Sequence, residues 1–116
     1  MPRYLISFPS DAMSHVSAEE LPAVGAAAHA VVQEAMDAGV WVFGGGIAES
    51  VPPVMVAGDG TVTAGTYAQT AELDGGWSVL ELPSREAALE WAAKIATACR
   101  CAQEVREFMP DPAVGN

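Results

Sequence analysis

His29 is the side chain in this sequence best suited to moving a proton near neutral pH, because imidazole is the side chain whose ordinary pKa lies there. It falls mid-way along a helical pattern, at the margin of an apolar stripe, beside Val32 and Met36. That position suits a general base facing a pocket. The commoner use of such a position is a boundary histidine bonded to water or backbone. A base needs a group that orients it. Asp37 lies roughly 80° around the helix and about two turns along it, out of direct reach. Asp74 and Glu49 lie in loops and can approach only through the fold. His29 and Asp74 are therefore the candidate catalytic residues. Arg106, on an expected last strand, is a candidate for binding a carboxylate or phenolate through its planar fork of donors. The alternative for Arg106 is an ion pair with Glu104 or Glu81. Tyr4, Trp41, Trp77 and Phe108 are strand aromatics, suited to lining a ligand pocket or to core and interface packing.

Other chemistries find less support. Cys99-Arg100-Cys101 lacks the second pair of ligands that a zinc site needs, and His15 and His29 supply no matching spacing. The thiols read as structural, and no metal or cofactor is implied. Gly44-Gly45-Gly46 is followed by no helix carrying Lys and Ser or Thr, so it is not a phosphate loop. No G-x-S-x-G elbow occurs.

Asp and Glu number 15 against 5 Lys and Arg, for a formal net charge of -10. A chain so acidic, without a basic stripe or tail, repels nucleic-acid backbones and anionic membranes. Hydrophobic residues make up 51% and charged residues 17%, the balance of a folded chain rather than a disordered one. So much apolar content on so short a chain suggests surface that a second copy covers. One domain is expected over residues 1–110, with 111–116 as a frayed, flexible tail. The opening run MPRYLISF is too short for an export signal or a membrane span. With two cysteines, the cytoplasm is the expected compartment.

The elements that must position these residues follow from periodicity. Tyr4 to Phe8 alternates as a strand, with Leu5 making its second face partly apolar, so it is expected to be central. Ser17 and Glu20 form a capping box ahead of a helix running to Ala38, stopped by Gly39. Leu21, Val24, Ala28, Val31 and Ala35 share one face of it. Val40 to Phe43 is a strand running into the glycine triplet, which marks a bulge or a close approach of backbone. Val54 to Ala57 and Thr61 to Thr63 flank Gly58-Asp59-Gly60 as a hairpin. Ala64 to Asp74 is an irregular polar loop. Trp77 to Leu82 is a strand ended by Pro83, and Ser84 caps the next helix. That helix buries Ala88, Trp91, Ala92, Ile95 and Cys99 and exposes a Glu90–Lys94 pair. Gln103 to Met109 is the last strand. The order β-α-β-hairpin-β-α-β is an α+β, ferredoxin-like split βαβ with an added hairpin. Two helices cover one face of such a sheet; the other is left for a second subunit.

The segment G-G-W-S-V-L-E-L-P-S-R-E-A-A-L-E-W-A-A, followed by E-V-R-E-F-M, resembles the YCII-related family. The specific likeness is to a subgroup named for a D-G-P-F motif. M-P-R-Y-L-I-S-F and D-A-G-V-W-V-F-G-G-G match the same group, so the resemblance spans nearly the whole chain. It implies a ferredoxin-like fold pairing as a homodimeric α/β barrel, in a family whose members mostly have no assigned function. A few relatives are enzymes, one removing chloride from a hydroxylated aromatic with a His and an Asp as the working pair. Subgroup genes often neighbour sigma factors. At the naming motif this chain has Ala64-Gly65-Thr66-Tyr67: the glycine and the aromatic remain, the carboxylate and proline do not. Tyr67 joins Tyr4, Trp41 and Arg106 as a candidate ligand-binding residue. Three readings follow: a small molecule bound for metal-free acid–base chemistry, a non-catalytic binding or assembly module, or a regulatory partner of a transcription factor.

Overall fold

In the computed structural model, which describes residues 1–116, the expected alternation holds for β1 (Arg3–Phe8). The other strands are β2 (Trp41–Gly46), β3 (Val54–Val56), β4 (Val62–Ala64), β5 (Gly76–Glu81) and β6 (Glu104–Glu107). The helices are α1 (Leu21–Asp37) and α2 (Arg85–Cys99). Four strands form one sheet in the order β2-β5-β1-β6, every neighbouring pair antiparallel. β1 is central, as its two apolar faces require. The architecture is mixed α+β, and its strand order is compatible with a ferredoxin-like fold. The sheet is open, with β2 and β6 as edges, and β3 and β4 pair separately.

Tyr4 and Ile6 point from β1 toward the helices and meet Leu80 and Leu82, Ala35 of α1, and Ala88 and Ala92 of α2. These residues are the core. Burying side chains such as Leu80 and Ile6, at 0% and 1% exposure, stabilises the fold by roughly 1.5–3 kcal/mol each. Leu5, Ser7, Trp77, Val79 and Arg106 share the opposite face by register, and neither helix covers it.

The helix ends show where local signals succeed. Ser84 Oγ accepts from the Ala87 N–H at 3.2 Å, capping α2 as expected. α2 stops at Arg100, in the left-handed region at φ 58, with its N–H bonded to the Ala96 carbonyl. Gly39, at φ 75, closes α1. The Ser17–Glu20 box forms, with Ser17 Oγ donating to Glu20 at 2.8 Å, yet it sits in a turn ahead of the helix. The cause is Pro22, which has no N–H to continue the ladder from Ala18. A second correction concerns Lys94. It bonds Glu34 of α1 rather than Glu90, and its ammonium lies 4.7 Å from the Trp91 ring centroid. Arg100 likewise bonds Glu20, just ahead of α1, so two exposed ion pairs link the α1 region to α2, contacts that water and salt screen strongly.

β2 runs longer than the apolar pattern predicts, because all three glycines join it as far as Gly46. A bulge lies between Trp41 and Phe43. From Ile47 to Gly75 the chain leaves the body, and the Ile47 N–H to Gly75 carbonyl bond, 2.9 Å, closes the neck of this excursion. The hairpin within it stands away from the sheet. The radius of gyration is 15.6 Å, against about 13 Å for a compact chain of this length.

Candidate functional site

The glycines of β2 and β5 explain the main cavity. A Cβ on Gly76 would lie 2.5 Å from the Phe8 ring; one on Gly44 would lie 2.5 Å from the Trp41 ring and 2.6 Å from the Trp77 carbonyl. Two aromatic rings therefore pack over bare backbone. Gly45 and Gly46 add no side chains, so the floor of this end of the sheet is flat. The apolar face of α1 has no side chains rising to meet it. A cleft of about 520 Å³ results, between α1 and the glycine strip. That volume falls in the ordinary range for small-molecule sites.

The roof is Leu21, Val24, Ala28, His29 and Val32 of α1. Phe8, Met13, Met36, Trp41, Ile95 and Cys99 also line the cleft, with Gln103. The lining is mostly apolar, with His29, Ser78 and Gln103 as its hydrogen-bonding side chains. The Gln103 amide nitrogen donates to the Cys101 carbonyl at 3.3 Å. Burial pushes the Cys99 thiol pKa up, with the neighbouring Cys101 adding to the shift, so its thiolate is scarce at neutral pH. His29 is exposed on the cleft's rim.

A second cavity, of about 530 Å³, lies at the base of the excursion. Its lining includes Ser10, Asp11, Glu49, Thr66, Thr70 and Asp74. Asp74 is engaged there: it accepts from Ser10 Oγ at 2.7 Å and from the Ser10 N–H at 3.1 Å. These two bonds hold its carboxyl pKa below the ordinary value. They tie the end of the excursion to the segment after β1.

The candidate residues separate. His29 and Trp41 meet in the cleft, while Asp74 lines the other cavity, and no carboxylate lines the cleft. Tyr4 is in the core, 1% exposed, and lines neither cavity; burial, then the nearby Glu107 carboxylate, raise its pKa. Arg106 pairs with Glu104 at 3.3 Å, the ion-pair alternative, on the face that the helices leave uncovered. Tyr67 is 69% exposed beside the second cavity. Trp77 borders the cleft along β5, and its indole Nε1 is buried without a partner. Phe8, Ser78, Gln103 and the glycine strip were not identifiable as a site from composition. The available signal was the glycine triplet ending one strand and Gly75-Gly76 opening another, with an aromatic near each.

No three His, Cys, Asp or Glu side chains converge as a metal-holding group, and no helix is long and apolar enough to cross a membrane. The family model for the YCII-related domain matches residues 4–110. No curated protein matches the chain.

Proposed function

The chain belongs to the YCII-related family, and we propose that it is a DGPF-type member that binds an apolar small molecule in the cleft under α1. The observation that carries this reading is the glycine-floored cleft with His29 on its rim. A flat floor of backbone between the Phe8 and Trp41 rings fits a flat or slender apolar ligand, and His29, Ser78 and Gln103 offer hydrogen bonds to a polar head group. Metal-free acid–base chemistry would rest on His29 alone among the lining groups. With no carboxylate in the cleft to orient it, we favour binding over catalysis. The degenerate motif Ala64-Gly65-Thr66-Tyr67 lies at the second cavity instead, where Thr66 is a lining residue.

We place the protein in a homodimer whose open sheet faces meet, completing a dimeric α/β barrel. Support comes from area. The chain exposes 7548 Å², whereas a compact monomer of this mass exposes about 6,000 Å². The surplus exceeds the roughly 800 Å² per partner of a standard interface. The free Cys99 and Cys101 suit a reducing compartment, the cytoplasm.

The same exposed apolar surface favours the assembly-module reading, in which contact with another protein is the main function; a transcription-factor partner is one form of it. Ligand binding separates the two. Titrating a panel of aromatic and aliphatic carboxylic acids, followed by tryptophan fluorescence, is expected to show saturable binding. Gly76→Val, which fills the floor, should abolish it, and His29→Ala should weaken it. Binding that ignores Gly76→Val, or no binding across the panel, would remove the cleft as the site.

A further inference from the structure

No Asp, Glu, Lys or Arg lines the cleft under α1. The five Lys and Arg of the chain lie elsewhere. Arg3, Lys94, Arg100 and Arg106 are paired with Glu81, Glu34, Glu20 and Glu104, and Arg85 opens α2. A ligand carboxylate or phosphate in the cleft would have no counter-ion, inside a chain of formal net charge -10. A ligand ammonium would equally lack a carboxylate partner. Taking an unpaired charge out of water costs far more than burying an uncharged polar group. His29 does not alter that balance, because it stands on the exposed rim, where water screens it.

Gln103 narrows the choice among uncharged groups. Its amide nitrogen donates to the Cys101 carbonyl at 3.3 Å and lies 3.6 Å from the Cys101 sulfur. The carbonyl contact fixes the orientation of the amide, since the flipped form would set oxygen against oxygen. The nitrogen is thus committed within the protein, and the oxygen is left as an acceptor on a side chain that lines the cleft. An acceptor favours a ligand O–H or N–H and repels a carboxylate oxygen. Ser78, whose hydroxyl both donates and accepts, discriminates neither way. We propose that the cleft takes an uncharged ligand whose head group donates a hydrogen bond, an amide or alcohol on a flat apolar body, and that Gln103 sets this preference. The inference rests on the cleft being the binding site, as read above. Carboxylic acids then enter in their protonated form. Each acid's apparent affinity falls about tenfold per pH unit above its own pKa, so the acid panel is read at about pH 5.

The test compares cinnamamide, methyl cinnamate and cinnamate by titration calorimetry on the wild-type chain at about pH 8, where the acid is ionised. The three share one flat body and differ in the head group: a neutral donor, a neutral group without a donor, and an anion. The amide is expected to bind about 10-fold tighter than the ester, which cannot donate to Gln103, and at least about 100-fold tighter than the anion. Gln103→Leu should bring the amide down to the level of the ester and leave the ester unchanged, a split that a merely structural role would not produce. The wild-type titrations decide the charge preference even if that variant fails to fold. Cinnamate binding as tightly as the amide would overturn the uncharged ligand. Gln103→Leu weakening amide and ester alike, or neither, would overturn the role of Gln103. Both results leave the cleft standing as the site. Amide binding that survives Gly76→Val, or no binding by any of the three, would remove the cleft itself and this inference with it.

Discussion

The sheet has two helices on one face, and they are used differently. α2 lies on the backs of β1 and β5, and Ala88 and Ala92 let it approach closely enough for Leu80, Leu82 and Ile6 to lose their contact with water. α1 contributes Ala35 to that core from its last turns. Its apolar face from Leu21 to Val32 instead roofs a cleft, because the strands beneath it offer Gly44, Gly46 and Gly76 in place of side chains. Small residues on the helix give tight packing under α2. Small residues on the sheet, facing a roof held up by the Phe8 and Trp41 rings, give an opening. Where the missing side-chain volume falls decides whether the layer seals.

That contrast can be broken by substitution. The largest effect is expected at Leu80, 0% exposed. Leu80→Ala should cost about 2–5 kcal/mol by denaturant unfolding, whereas Val32→Ala on the cleft roof should cost under about 1 kcal/mol because it enlarges a space already open. An equal loss at both sites would mean that α1 packs as tightly as α2. Next come the helix starts. Ser84→Ala removes a cap bonded directly to α2 and should cost about 1 kcal/mol. Ser17→Ala breaks a box that Pro22 has separated from α1, and should cost only a few tenths, roughly 0.3 kcal/mol. Thermal melts of the pair compare the two helices directly.

The smallest effect is read from the acid limb of the stability profile. Asp74 has a folded pKa below its ordinary 3.8, set by the Ser10 bonds. A depressed carboxyl pKa stabilises the fold above the ordinary value, and the contribution fades as pH falls through the folded value. Asp74→Asn should therefore lower stability at neutral pH and flatten the loss of stability below about pH 4. Glu20 and Asp59, also lowered by hydrogen bonds from Ser17 and Thr61, keep their own share of the acid response. An unchanged acid limb in the Asn variant would show that the Ser10–Asp74 tie does not persist in solution.

Much of the fold was legible because its signals are local. Alternation in β1 and β5, the Ser84 cap and the Gly58-Asp59-Gly60 turn each act within a few residues, and each appears where the pattern puts it. α1 begins later than its capping box because one proline outranks a good cap. The site was less legible because its parts come from five segments spread along the chain. Nothing near Asp74 in the chain marks Ser10 as its partner, and nothing near Lys94 marks Glu34. The glycine triplet was visible, but only the rings of Phe8 and Trp41 lying over it turn a close approach into a cleft. His29 was singled out by type and by its place on the margin of the helix, and both are local properties.

The neck between Ile47 and Gly75 bears on the chain's history as well as its shape. Gly46 and Gly76 are already paired, and the Ile47–Gly75 bond brings both ends of the excursion together. A tight turn could join β2 to β5 there, leaving the four-stranded sheet with its order intact. Residues 48–74 are thus a topologically separable insertion. Length and sequence can change in that segment without disturbing the register of the sheet, while Gly75 and Gly76 have no room for a side chain, a Cβ there lying 2.0 Å from the Phe8 carbonyl oxygen and 2.5 Å from the Phe8 ring respectively.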